Sequence, residues 1–158
     1  MASPLESLIR KYTPRSTQEY ENALKEVMQE ITLAGLAHAK FFDKAAFYGG
    51  TALRIFYGLS RFSEDLDFTL LKTDPDFRLK PYFYAVDQAL SSFGFKVTIE
   101  EVVKLEDRQV ESAFLKANTR MHLLKVDATV GIPSSVHANK IMNVKIELDV
   151  FPPLGFET

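Results

Sequence analysis

Two stretches far apart in the chain alternate polar and apolar residues without a break: Asp65-Leu66-Asp67-Phe68-Thr69-Leu70 and Val144-Lys145-Ile146-Glu147-Leu148-Asp149-Val150. A side-chain period of two marks a half-buried strand, so both segments are expected in a sheet with one face on a core. Each stretch also sets acids two residues apart. Asp65 and Asp67 project from one face, roughly 6.5–7 Å apart along the strand, while Leu66 and Phe68 turn to the core. On the later segment Lys145, Glu147 and Asp149 share a face, opposite Ile146, Leu148 and Val150.

The rest of the chain supplies helices and further strands. Ser16 followed by Glu19 has the form of a capping box. Tyr20, Leu24, Val27, Ile31, Leu33 and Leu36 then recur near the helical period, which predicts a helix from Thr17 to the late thirties, interrupted near Gly35. Pro4 to Lys11 predicts a short leading helix. Ala45-Ala46-Phe47-Tyr48 reads as a strand that ends in Gly49-Gly50, and a short helix is expected to start near Thr51 and close at Gly58. Asp74-Pro75 has the form of an N-cap with proline at N1, opening a helix that carries Phe77, Tyr84, Val86 and Leu90 and stops before Gly94. Phe95 to Glu100 and a stretch within Ser112 to Val126 alternate as strands, Gly131-Ile132-Pro133 marks a turn, and Pro152-Pro153 ends the last strand. The expected fold class is α+β (α/β): an N-terminal helical segment over about 4–40, then a core over about 45–156 with a mixed sheet of four to six strands flanked by helices. Residues 1–158 are expected to form a single domain.

Composition narrows the chemistry. With 158 residues, 46% of them hydrophobic, the chain can bury a core without staples. It has no Cys, which excludes a disulfide framework, a zinc–thiolate site and a cysteine nucleophile. A formal net charge of −2 argues against a DNA coat or a polybasic arm. The opening residues do not form a signal peptide and no apolar run approaches bilayer length, so a soluble, cytoplasmic protein is expected, with no membrane partner. His38, His122 and His137 lie far apart without metal-ligand spacing, and each is expected to be a surface or partly buried histidine. Aromatic residues at 41, 42, 47 and 48, and at 77 and 82–84, fit packing better than base stacking.

Two features carry chemistry. Gly49-Gly50-Thr51, between a strand and a helix, would offer free N–H groups to an anion and, at Thr51, a hydroxyl donor; Gly-Gly before a helix is more often only a turn. Paired carboxylates at Asp65 and Asp67 can hold Mg²⁺, a hard cation that shares its shell with substrate phosphates. The competing reading is a solvent-facing strand side, although two like charges on one face favour a compensating cation. If the later strand lies beside the first, Glu147 or Asp149 would add a third carboxylate; alone, it reads as a surface strand whose Lys and Glu neutralise one another.

Taken in order, Gly49-Gly50-Thr51-Ala52-Leu53 followed by Arg61-x-Ser63-x-Asp65-Leu66-Asp67-Phe68 resembles the AbiEii/AbiGii toxin family, within the nucleotidyltransferase superfamily that includes DNA polymerase beta. Val144 to Asp149, running into Pro152-Pro153-Leu154-Gly155-Phe156, is similar to that family's third strand. The resemblance implies a nucleotidyltransferase-like fold. It implies that Gly49, Gly50 and Thr51 hold the phosphates of a nucleoside triphosphate, with Arg61 and Ser63 beside them. It also implies that Asp65 and Asp67 bind Mg²⁺, with Glu147, ahead of Asp149, as the third carboxylate. Transfer of a nucleotide to an acceptor hydroxyl, in several such toxins the 3′ end of tRNA, and a cognate antitoxin are further implications. Family members continue into a helical C-terminal region with a Lys-containing helix and an Arg-Asp motif, whereas this sequence stops at Thr158; a truncated or short form is expected. The alternatives are an inactive domain of the same fold acting in protein binding, and a small α/β binding module whose acidic strands merely face solvent.

Overall fold

A computed structural model describes residues 3–49, 51–52, 55, 65–102, 110–126 and 136–151. It contains helices α1 (Pro4–Arg10), α2 (Thr17–His38), α3 (Phe83–Ser92) and α4 (Thr119–Lys125), and strands β1 (Ala45–Tyr48), β2 (Asp65–Leu70), β3 (Val97–Val102), β4 (Val110–Asn118) and β5 (Ile141–Asp149). Residues 49, 51, 52 and 55 are helical as well. The strands form one mixed sheet in the order β1-β2-β5-β4-β3. Its two acid-bearing strands, β2 and β5, are neighbours and run parallel, and the other pairings are antiparallel.

Alternation decides which face is covered. Leu66, Phe68 and Leu70 from β2, Met142, Val144, Ile146 and Leu148 from β5, and Ala113, Leu115 and Ala117 from β4 are buried on one side. The buried stripe Leu24, Val27, Met28 and Ile31 of α2 belongs to the same core, joined by Leu5 and Ile9 of α1. Each such Val, Leu, Ile, Phe or Met side chain removed from water contributes about 1.5–3 kcal/mol. Phe41 anchors an aromatic cluster, with its ring edge-on to Phe68 at 5.0 Å and to Tyr82 at 5.1 Å. The polar positions of β2 and β5 are thereby turned to the opposite face.

Local capping follows the sequence at α2. The Ser16 hydroxyl accepts the Glu19 N–H at 3.1 Å and donates to the Glu19 carboxylate at 3.1 Å. The interruption expected near Gly35 does not occur, since α2 runs unbroken to His38. Gly35 instead lets α3 approach, because a Cβ there would stand 3.1 Å from the Ala85 carbonyl oxygen and 3.1 Å from the Ala89 Cβ.

Two further expectations are corrected. Asp74-Pro75 does not open a helix: the Asp74 carboxylate accepts the Asp76 N–H at 3.1 Å in a local turn, and α3 begins at Phe83. That turn competes with helix initiation, a common role of Asp. The third strand begins at Val97, two residues later than its alternation predicts. The strand expected within Ser112 to Val126 is β4, which ends at Asn118; the Asn118 side chain accepts the Met121 N–H at 2.8 Å and caps α4, a helix the alternation hid. The proposed ends at Gly58, Gly131–Pro133 and Pro152-Pro153 lie outside the described residues. Among the described residues no helix is long and apolar enough to cross a membrane.

Candidate functional site

The site is built by strand register. Asp67 of β2 stands opposite Glu147 of the parallel strand β5, Asp65 opposite Lys145, and Thr69 opposite Asp149. Directly paired residues point to the same side of a sheet, with neighbouring strands about 4.8 Å apart. Asp65, Asp67, Lys145, Glu147 and Asp149 therefore gather on the face opposite the core. Tyr48 extends the Asp67 row on β1, and Ser112 extends it on β4.

The glycine turn arrives at the same place. Gly49 has φ +88°, and a Cβ at that position would lie 2.7 Å from the Asp67 Oδ2. Glycine is thus required twice, for the left-handed backbone and for the closeness of the carboxylate. Two residues on, the buried Thr51 hydroxyl donates to the backbone carbonyl of Asp65. In this arrangement the Thr51 hydroxyl fastens the helical residues after the turn to the first residue of β2. Gly50, Arg61 and Ser63 lie outside the described residues.

Crowding of acids is visible in the proton affinities of Asp67, Tyr48 and Lys145. The Asp67 carboxyl is pushed above the usual carboxylate range, first by burial, then by the charges of Asp65 and Glu147. Lys145 pulls it the other way, and a hydrogen bond with Glu147 favours the protonated form. The Tyr48 phenol is raised by burial and by Asp67, Asp149 and Glu147. Lys145 is the answering cation. Its Nζ lies 2.5 Å from the Glu147 Oε1, and this hydrogen bond, above all, raises its pKa against the opposing effect of burial; Glu147, Asp65 and Asp67 add to the rise.

Glu147 and Asp149 are not equivalent. Glu147 is in register with Asp67 and hydrogen-bonds to it, whereas the Asp149 Oδ1 accepts the Phe151 N–H at 2.8 Å and closes the turn at the end of β5. Of the two, Glu147 is the one paired in register with the Asp65–Asp67 strand at Asp67.

With side chains placed this way, no three His, Cys, Asp or Glu residues among the described ones are drawn together closely enough to hold a metal. The donor set nevertheless suits a hard cation: its donors are carboxylate oxygens, and the negative charge on Asp65, Asp67 and Glu147 exceeds the single ammonium among them.

Histidine has no part in this face. His122 is fully buried, against expectation. Its Nε2 accepts the Lys96 N–H at 3.0 Å, its Nδ1 lies 2.6 Å from the Asn118 carbonyl, and its ring stacks on Phe95. Both ring nitrogens are spent on backbone groups, which makes it a structural link between α4 and the segment leading into β3. Tyr48 was missed as a site neighbour, because an aromatic residue beside Phe47 reads as core until β1 is paired with β2.

Residues 31–157 match a protein-family model described as the nucleotidyl transferase AbiEii toxin of a type IV toxin–antitoxin system. The crystal structure of JHP933 from Helicobacter pylori superposes with a TM-score of 0.50 at 21% identity, covering 85% of this chain and 47% of that one. A candidate nucleotidyltransferase from H. pylori gives a TM-score of 0.47 at 20% identity, covering 83% and 47%. The chain spans about half the length of these solved structures. No curated protein matches the sequence.

Proposed function

The chain belongs to the AbiEii family of nucleotidyl transferase toxins, and we propose that its acidic sheet face carries out Mg²⁺-dependent transfer of a nucleotide from a nucleoside triphosphate to an acceptor hydroxyl. The observation that carries this reading is the meeting of three separate segments: the Gly49 turn, the β2 acids and Glu147 on β5. A turn that brings a helix start against paired carboxylates joins an anion-binding backbone to a cation-binding set, as a metal-bound triphosphate requires.

Each residue then has a task. Asp65 and Asp67 would hold Mg²⁺, with Glu147 completing the carboxylate set. When bound, the metal neutralises charge on the attacking and leaving oxygens. The backbone at Gly49, Gly50 and Thr51 would receive phosphate oxygens, with Arg61 and Ser63 as further phosphate ligands. Thr51 fixes the distance between that backbone and Asp65 through its hydrogen bond. The acceptor oxygen bonds the α-phosphorus as the bond to pyrophosphate breaks, and the Glu147 carboxylate takes the hydroxyl proton. The acceptor is an RNA 3′ end of the tRNA type, the partner a cognate antitoxin, and the compartment the cytoplasm.

Incubation with an α-labelled nucleoside triphosphate, Mg²⁺ and total tRNA tests this. Label is expected on RNA with the wild-type chain and not with Asp65→Ala or Asp67→Ala. A folded chain that labels nothing, yet binds metal and nucleotide no better than those variants, would instead favour a protein-binding domain of the same fold.

A further inference from the structure

The sheet face contains one ammonium whose position the transfer reaction does not explain. Lys145 sits in register between Asp65 on β2 and Phe114 on β4. Its Nζ lies 2.5 Å from the Glu147 Oε1 and 5.7 Å from the centre of the Phe114 ring. The ammonium therefore has two partners on the same face, a carboxylate on the acid side and an aromatic ring on the other. The Phe114 ring also has the Lys116 Nζ at 5.8 Å, and Lys116 is bound to Glu100 at 2.6 Å, so Lys116 has its own carboxylate.

We propose that Lys145 is a tethered counter-ion that holds the acid face together without metal and competes directly with a divalent cation for Glu147. The physical reason is charge. Glu147, Asp67 and Asp65 lie on adjacent register positions of two neighbouring strands, where like charges repel unless a cation stands among them. An ammonium on a flexible stem can supply that cation at no cost in association, and can withdraw when a better ligand arrives. Retreat toward Phe114 leaves the ammonium over an aromatic face rather than unpaired. Metal entry is then an exchange, with one cation leaving Glu147 as another arrives. Lys145 is in this sense a positioning residue, and the inference rests on the proposed metal-binding role of Asp65, Asp67 and Glu147.

Calorimetric titration of the purified chain with Mg²⁺ alone, and with Mn²⁺ alone, tests the exchange in wild type, Lys145→Met, Lys145→Gln and Lys145→Arg, each checked for folding by thermal melting. Lys145→Met and Lys145→Gln are expected to bind the divalent cation roughly three- to tenfold more tightly, the scale of removing one half-exposed competing charge. Without metal they should melt at lower temperature than wild type, and saturating metal should narrow that gap. Lys145→Arg retains the charge and is expected to bind near the wild-type affinity. Equal or weaker binding by the neutral variants, with wild type still binding metal, overturns the exchange and leaves the metal site standing. If neither wild type nor the neutral variants bind either metal, both the exchange and the proposed metal site fall.

Discussion

Asp67 and Glu147 face each other across the parallel β2–β5 ladder, and the Asp67 carboxyl is held above its ordinary proton affinity by burial and by its acidic neighbours. The folded state therefore binds this proton more tightly than the unfolded chain. By linkage, the stability it contributes is full below the unfolded carboxylate pKa and is lost as pH rises through the higher folded value. Asp67→Asn is expected to flatten that part of the stability–pH curve and to raise metal-free stability at neutral pH by about 0.2–1 kcal/mol, the range of a cross-strand charge pair. It should also abolish stabilisation by Mg²⁺. Urea melts with and without Mg²⁺ between acid and neutral pH measure both effects, and a less stable metal-free variant would contradict the account.

Gly49 is tested by adding one methyl group. Gly49→Ala forces an L side chain into φ +88° and sets its Cβ 2.7 Å from the Asp67 Oδ2. The backbone term alone is expected to cost about 1–2 kcal/mol. The displaced carboxylate should weaken divalent binding as well. A variant with wild-type stability in chemical denaturation would show that the turn does not press on Asp67.

Thr51 gives a separate handle on the same junction. Thr51→Val keeps the shape and removes the donor to the Asp65 carbonyl. The loss of a buried hydrogen bond is expected to cost about 1–3 kcal/mol. Divalent affinity should fall with it, and Thr51→Ser, which retains the hydroxyl, should recover most of both. If Val and Ser variants titrate Mg²⁺ alike, Thr51 does not position Asp65.

His122 predicts an acid-side weakness remote from the site. Burial, chiefly, lowers its pKa, with Lys125 acting in the same sense and the hydrogen bond to Asn118 in the opposite one. The unfolded chain takes up this proton first as pH falls, so stability is full above the ordinary imidazole pKa and declines below about pH 6.5, with a limiting slope of about 1.4 kcal/mol per pH unit. His122→Gln should remove the slope at some cost in stability at neutral pH. A wild-type curve flat through this range would refute it.

Gly35 sets a packing limit. Replacement by Val would drive a branched side chain into the backbone of α3 at Ala85 and Val86. Overpacking of about 1–3 kcal/mol is expected to exceed the gain in helix propensity over glycine. Thermal melting of Gly35→Val, with Gly35→Ala as the milder case, orders the two effects.

Local patterns determined much of this protein. The period of two in β2 and β5 sorted Leu66, Phe68, Ile146 and Leu148 from Asp65, Asp67, Glu147 and Asp149, because a pleated strand leaves each residue one of two faces. The helical period of α2 and its Ser16 cap were equally legible, since both depend on contacts within four residues. Helix starts that depend on competition were not: the Asp74 carboxylate satisfies a nearby turn, and α4 is masked by an alternating run that ends at Asn118. Only the tertiary structure decided that β2 and β5 lie side by side and in which register, and so chose Glu147 over Asp149 as the neighbour of Asp67. It alone bonded the Thr51 hydroxyl to the Asp65 carbonyl and set Lys145 against Glu147. Strand pairing and the burial of a polar group are settled by segments distant in sequence, and no local period carries that information.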